Sequence, residues 1–278
     1  VMSQQIDTLA EIAANYDAIV LDQWGVLHDG SAPYDQAVNA LNGLHASGVR
    51  LAVLSNSGKR SALNALRIED MGFPPDIFSD VMTSGEALWQ DIAKGFISAR
   101  SFYAIERSAG DAKAWAVGLD IEFCDLSDAE AVLLMGLPDY SLLETWRPLL
   151  FDMLERGLTI YCSNPDRQSP RSDGLVVSPG AVGFAYADLG GSVRFYGKPH
   201  RPVFQALEKA LGSNQLLMVG DSLEHDIAGA QDSGWDSVLV LGGLYAADFA
   251  RGNHEQTLAR LVAEKGCNSP TYTIEALQ

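Results

Sequence analysis

Polar residues stand at four places where apolar stretches stop: Asp22, Ser55 with Asn56, Lys198, and Asp221 with Asp226. Together they have the parts of phosphoryl transfer. A carboxylate such as Asp22 can attack phosphorus and split the reaction through an aspartyl phosphate. A hydroxyl and backbone amides can hold phosphoryl oxygens, and a lysine can neutralise their charge. Two further carboxylates can hold Mg²⁺, which takes oxygen donors and keeps water and substrate phosphate among its ligands. Taken singly, each position has a plainer role. An Asp after a strand commonly caps a helix or closes a turn. Ser55-Asn56-Ser57-Gly58 reads as a turn, and Lys198 before Pro199 reads as a loop lysine.

The elements that must position these groups alternate along the chain. Apolar runs at 18–21, 49–54, 216–219 and 237–241 read as strands buried on both faces. Residues 35–47, 61–71, 201–211 and 224–233 repeat apolar side chains at helical spacing. They stop at Gly48, Gly72, Gly212 and Gly234. Strand–helix alternation implies right-handed βαβ units and a parallel sheet. Ligands of such sheets sit beyond the carboxyl ends of the strands, where Asp22, Ser55 and Asp221 fall. Residues 85–189 read as a second, smaller unit. Its expected strands are 102–106, 121–124, 131–135 and 159–162, with a helix over 141–156. The expected fold is therefore α/β, with a doubly wound parallel-sheet core from 1–84 and 190–278 interrupted by the unit at 85–189.

Composition narrows the functions. Of 278 residues, 47% are hydrophobic, enough for a packed core. Lys plus Arg is 19 and Asp plus Glu is 36, a net charge of −17 that argues against nucleic acid and anionic membrane as partners. A local lysine or a bound metal can still invert the field within one cleft. Cys124, Cys162 and Cys267 lie far apart, which fits a reducing compartment and offers no zinc site. No basic and apolar leader opens the chain, so a cytoplasmic protein is expected. Ser57-Gly58-Lys59-Arg60 lacks the earlier glycine of a P-loop, since position 53 is Val, and no G-x-G-x-x-G follows a strand.

The motifs and their order resemble the haloacid dehalogenase-like (HAD) hydrolase superfamily, and within it the subclass IIA, NagD-like phosphatases. The first motif is Asp22-Gln23-Trp24-Gly25-Val26-Leu27-His28-Asp29-Gly30, and the second is Leu54-Ser55-Asn56-Ser57. The third is Tyr196-Gly197-Lys198-Pro199, and the fourth is Val219-Gly220-Asp221-Ser222-Leu223-Glu224-His225-Asp226. Cys162-Ser163-Asn164-Pro165-Asp166-Arg167 resembles a subclass marker. The resemblance implies a Rossmann-like core and a C2-type cap at 85–189. It implies Asp22 as nucleophile and metal ligand, Ser55 as phosphoryl binder, and Lys198 as charge neutraliser. Mg²⁺ would be held by Asp22, Asp221, the Trp24 carbonyl and, directly or through water, Asp226. Asn56, Asn164 and Asp166 would bind substrate, the last two from the base of the cap. Asn164 and Asp166 equally read as an Asx turn around Pro165. A small phosphorylated substrate is implied, and a homodimer is compatible with the resemblance.

The sequence departs from the phosphatases of this superfamily at one position. They carry a second Asp two residues after the nucleophile, which protonates the leaving group and then activates water. Here that residue is Trp24, whose indole N–H only donates. Losing a positioned acid/base costs about 10²–10⁴-fold in rate. Three readings follow. The chain is a phosphohydrolase of a sugar phosphate or nucleotide, with a proton supplied by His28, Asp29 or Asp166. Alternatively it is a phosphonatase-like C–P hydrolase, for which Lys94 and Lys113 are the lysines of the inserted unit. Or it is an inactive homologue that binds a phosphorylated ligand or a partner.

Overall fold

The structure, a computed structural model, describes residues 3–171 and 174–277. The chain forms two compact units: Val1–Ser55 with Ala62–Met82 and Lys198–Gln278, and Asn56–Ser61 with Thr83–Gly197. Among the described residues the strands are β1 (Gln4–Gln5), β2 (Ala18–Leu21), β3 (Leu51–Ser55), β4 (Asp80–Thr83), β5 (Ser101–Ile105), β6 (Glu122–Phe123) and β7 (Ala131–Leu134). They continue with β8 (Thr159–Cys162), β9 (Gln168–Arg171), β10 (Gly174–Val177), β11 (Val193–Phe195), β12 (Leu216–Gly220), β13 (Asp236–Val240) and β14 (Tyr272–Ile274).

In the first unit the strands run in the order β1-β14-β13-β12-β2-β3-β4. β2 pairs in parallel with β12 on one side and β3 on the other. Every residue of β2, β3 and β12 is buried, as continuous apolar runs covered on both faces must be. Helices Asp35–Ala46 and Ser61–Asp70 carry the chain outward from β2 through β3 to β4. Helix Arg201–Leu211 then precedes β12, from which the chain winds the other way through β13 to β14. The winding thus reverses between β2 and β12, the place where an open α/β sheet forms its ligand crevice.

The second unit has a five-stranded sheet, β11-β8-β7-β5-β6, with parallel pairings throughout. β7 is wholly buried, and Leu150, Met153, Val182 and Tyr186 pack in the same core. β9 and β10 form a separate antiparallel pair.

Several elements differ from expectation. Besides Asn56–Ser61, the second unit runs from Thr83 to Gly197 rather than over the expected 85–189; its later end reaches past 189 because β11 pairs with β8 and belongs to the second sheet. The helix expected over 141–156 is a 3₁₀ turn, Leu143–Trp146, followed by an α-helix, Arg147–Glu155. Pro148 lies in the first turn of the latter and has no N–H with which to continue one α-helix across the junction. The helix expected over 224–233 begins as a widened π turn, Leu223–Ile227, before Ala228–Asp232 becomes α-helical. The cause is at Ser222: its carbonyl accepts from both Asp226 and Ile227, and its hydroxyl accepts from the His225 N–H.

Candidate active site

The register of β2 and β12 determines what meets at their ends. Val219 lies opposite Leu21, and the Asp22 N–H donates to the Val219 carbonyl at 2.9 Å. One residue further along each strand end, the chain presents Asp22 and Asp221 on adjacent strands. Lys198, the first residue of the returning segment, joins them. Its ammonium donates to Asp22 Oδ1 at 2.6 Å and to Asp226 Oδ1 at 2.7 Å. The Lys198 side chain is 3% exposed and that of Asp226 is fully buried, so these are charges withdrawn from water. Asp226 Oδ2 also accepts from the Ser222 N–H at 3.1 Å. Asp221 Oδ2 accepts from the Leu244 N–H at 2.9 Å. The carboxylates of Asp22, Asp221 and Asp226 offer oxygens that all lie within 4.8 Å of one another.

Three carboxylates around one ammonium leave an excess of negative charge, and the acidities record it. Burial, and then the Asp226 carboxylate, push the Asp22 pKa above its ordinary value, while Lys198 opposes them. Burial with the Asp22 and Asp226 carboxylates pushes Asp221 up to about 8. Burial works against the Lys198 charge, but Asp22 and Asp226 more than offset it and hold its pKa above the usual lysine value. The cluster fits a hard divalent cation: its donors are all oxygens, and Asp221 holds a proton where a cation would relieve the same repulsion.

The turn after Asp22 is built to approach this cluster. Gln23 carbonyl accepts from the N–H groups of Leu27 and His28 at 2.7 and 3.2 Å, and the Gly25 N–H donates to the His28 carbonyl at 3.0 Å. Gly25 has φ +75°, and a Cβ there would collide with the Asp221 carboxylate. Only glycine lets the backbone lie against that acid. Trp24 is half exposed on this turn, whereas His28 is buried.

Ser55 ends β3, beside β2, and is 9% exposed. The first unit therefore brings together Asp22, Lys198, Asp221 and Asp226, with Ser55 and Trp24 at the ends of β3 and β2 respectively. Asn56, Asn164 and Asp166 meet in the second unit. The Asn56 side-chain amide donates to Asp166 Oδ1 at 2.9 Å, and Asn164 Oδ1 accepts from the Asp166 N–H at 2.9 Å, an Asx turn around Pro165. Arg60 binds Glu86 through Nε at 2.6 Å and stacks on Trp89, a structural use of the segment that superficially resembles a P-loop. The backbone N–H groups of Ser222 and Leu244 were not anticipated from sequence. Ser222 carries a readable signal as a helix N-cap, but the Leu244 amide has none, because its role comes from the path of the chain after β13.

The chain is similar to known hydrolases. Residues 19–119 match the model of the haloacid dehalogenase-like hydrolases, and residues 195–264 match a HAD-hydrolase-like model. The chain is 25% identical to the glycerol-3-phosphate phosphatase of Gallus gallus, across 90% of this chain and 87% of that one. It is 27% identical to the haloacid dehalogenase-like hydrolase domain-containing protein 2 of Bos taurus, across 83% and 86%. A crystal structure of a haloacid dehalogenase-like hydrolase from Brucella suis 1330 superposes with a TM-score of 0.80 at 29% identity, covering 98% of this chain and all of that one. The chain belongs to the haloacid dehalogenase-like hydrolases and is a hydrolase of the phosphatase type.

Proposed function

We propose that this haloacid dehalogenase-like hydrolase is a Mg²⁺-dependent phosphohydrolase of a small phosphorylated metabolite, with Asp22 as its nucleophile. The observation that carries the reading is the Lys198 ammonium shared by Asp22 and Asp226, with Asp221 in the same cluster. Lys198 opposes the burial that raises the Asp22 pKa and orients one oxygen, so that the carboxylate can attack phosphorus. Lys198 and the Ser55 hydroxyl would receive the negative charge of the phosphoryl oxygens as it redistributes. Mg²⁺ would be held by Asp22, Asp221 and the Trp24 carbonyl. Both Asp226 oxygens already accept hydrogen bonds, which suits support through water. When bound, the ion supplies charge neutralisation and Lewis-acid polarisation of the phosphoryl group. Asn56, Asn164 and Asp166, coupled by hydrogen bonds, form the substrate-recognition group of the second unit.

A relative named for glycerol 3-phosphate supports a small phosphate ester as substrate. Lys94 is exposed and donates to Gln90 one turn back on its own helix, a surface role rather than that of an imine-forming lysine. The test is release of inorganic phosphate from sugar phosphates, nucleotides, glycerol 3-phosphate and p-nitrophenyl phosphate. Release should require Mg²⁺ and vanish in Asp22→Asn. Silence across the whole panel overturns the reading.

A further inference from the structure

The turn after Asp22 carries an indole two residues from that carboxylate. One side of the Trp24 ring rests on Gly30: a Cβ at Gly30 would lie 2.6 Å from Cζ2 and 2.8 Å from Cε2 and Nε1. With Gly30 at φ +96° and no side chain, the ring is seated on backbone, and the residue remains half exposed. It presents a flat apolar surface two residues from the nucleophile.

The polar neighbours on the same turn are engaged otherwise. Asp29 Oδ1 accepts from the Ser31 N–H, the Ser31 hydroxyl and the Ala32 N–H, each at 2.8 Å. These bonds hold its pKa at about 2, so near neutrality it has no proton to give. His28 is 1% exposed and its Nδ1 is already engaged, accepting from the Gly30 N–H at 3.0 Å. Tyr34 is partly exposed, but burial and the Asp29 and Asp221 carboxylates raise its pKa and make it a poorer acid.

We infer that the substrates are phosphoryl compounds whose leaving group departs as a stable anion without protonation, aryl or acyl phosphates, with a planar leaving group packed on the Trp24 indole. The inference rests on the phosphohydrolase reading and narrows it. In the first step an Asp22 oxygen forms a bond to phosphorus. The bond from phosphorus to the leaving oxygen breaks, and its electron pair leaves with the phenolate or carboxylate. In the second step water adds to phosphorus, the bond to Asp22 breaks, and the carboxylate is restored. The proton from water passes to phosphate or solvent. Asp29, locked by its own turn, and His28, buried, do not assist that water, so the aspartyl phosphate accumulates and the second step limits turnover.

The experiment uses the full chain with Mg²⁺ and four substrates: p-nitrophenyl phosphate, phenyl phosphate, acetyl phosphate and glycerol 3-phosphate. Wild type should show a burst of about one p-nitrophenolate per chain. Its kcat/KM should favour p-nitrophenyl over glycerol phosphate by about 10²–10⁴-fold more than that of Trp24→Asp, which regains an acid at this position. Trp24→Ala should raise KM several-fold more for the aryl esters than for acetyl phosphate, which separates stacking from leaving-group acidity. A wild type indifferent to the leaving group, or one made selective only by Tyr34→Phe, would show another proton donor and overturn the inference while the phosphohydrolase reading stands. An unchanged aryl KM in Trp24→Ala overturns the stacking role. If no substrate phosphorylates Asp22, both fail.

Discussion

The two parallel sheets solve the same folding problem and use their acidic side chains in opposite ways. In each, apolar strands are buried and helices or turns follow their carboxyl ends. In the second unit Glu106, Glu130 and Glu86 each find donors of their own. Glu106, just past β5, accepts from the Gly110 and Ala112 N–H groups. Glu130 takes the N–H groups of Arg100 and Ser101, which lower its pKa, and Glu86 is lowered by Arg60 despite its burial. In the first unit Asp22 and Asp221 are pushed the other way, by burial and by one another. Similar architecture thus yields acids with lowered pKa values in one place and acids with raised ones in the other. The difference lies in whether each carboxylate finds its own donors or must share one lysine.

The largest expected effect follows from removing Asp22, the proposed nucleophile. Asp22→Asn keeps the shape but not the carboxylate, and phosphate release should fall by about 10⁴-fold or more in steady-state assays. Lys198→Met should come next. It leaves Asp22 and Asp226 buried without their cation, at a cost of about 3–5 kcal/mol by denaturant unfolding, and Mg²⁺ should recover part of the loss.

A pH series sharpens the contrast further. Metal-free Asp221 keeps its proton up to about pH 8, whereas an unfolded carboxyl releases it near pH 4. The native state therefore binds more protons between those values, and stability in EDTA should fall as pH rises through that window. Mg²⁺ competes with the proton, so the rise in Tm it confers should grow from pH 5 to pH 8. A Tm that climbs with pH in EDTA contradicts this. The smallest effect belongs to the second unit. Glu86→Ala breaks the Arg60 pair at about 1–2 kcal/mol, with the Mg²⁺-dependent stabilisation unchanged.

The fold was most legible where burial is most complete. β2, β3, β12 and β13 are built on short apolar runs, and each was read to within two residues. β1 and β14, at one side of the first sheet, are two and three residues long, too short for periodicity to show. β11 reads as part of the core by chain position but pairs with β8, a long-range choice that local pattern does not encode. The cluster of Asp22, Lys198, Asp221 and Asp226 was legible because motif order brings each residue to a strand end or a segment start. The inaccessibility of His28 and the locking of Asp29 were not, because both depend on how the Gly30 turn closes. Sequence left three residues available for the missing proton, and the geometry withdraws two.

The discontinuity of the first unit has a consequence for synthesis. β2 pairs with β12 across roughly two hundred residues of chain, whereas the second unit from Thr83 to Gly197 is nearly continuous. On the ribosome the later-numbered half of the reactive sheet emerges only after the inserted unit is complete. During that interval the nascent chain holds Asp22 without Lys198, and β2 with one flank bare. The inserted unit can fold first from local contacts, and loop closure then brings the ammonium to the waiting carboxylate. Assembly of the cluster is thereby postponed until the segment that carries Lys198, Asp221 and Asp226 has been made.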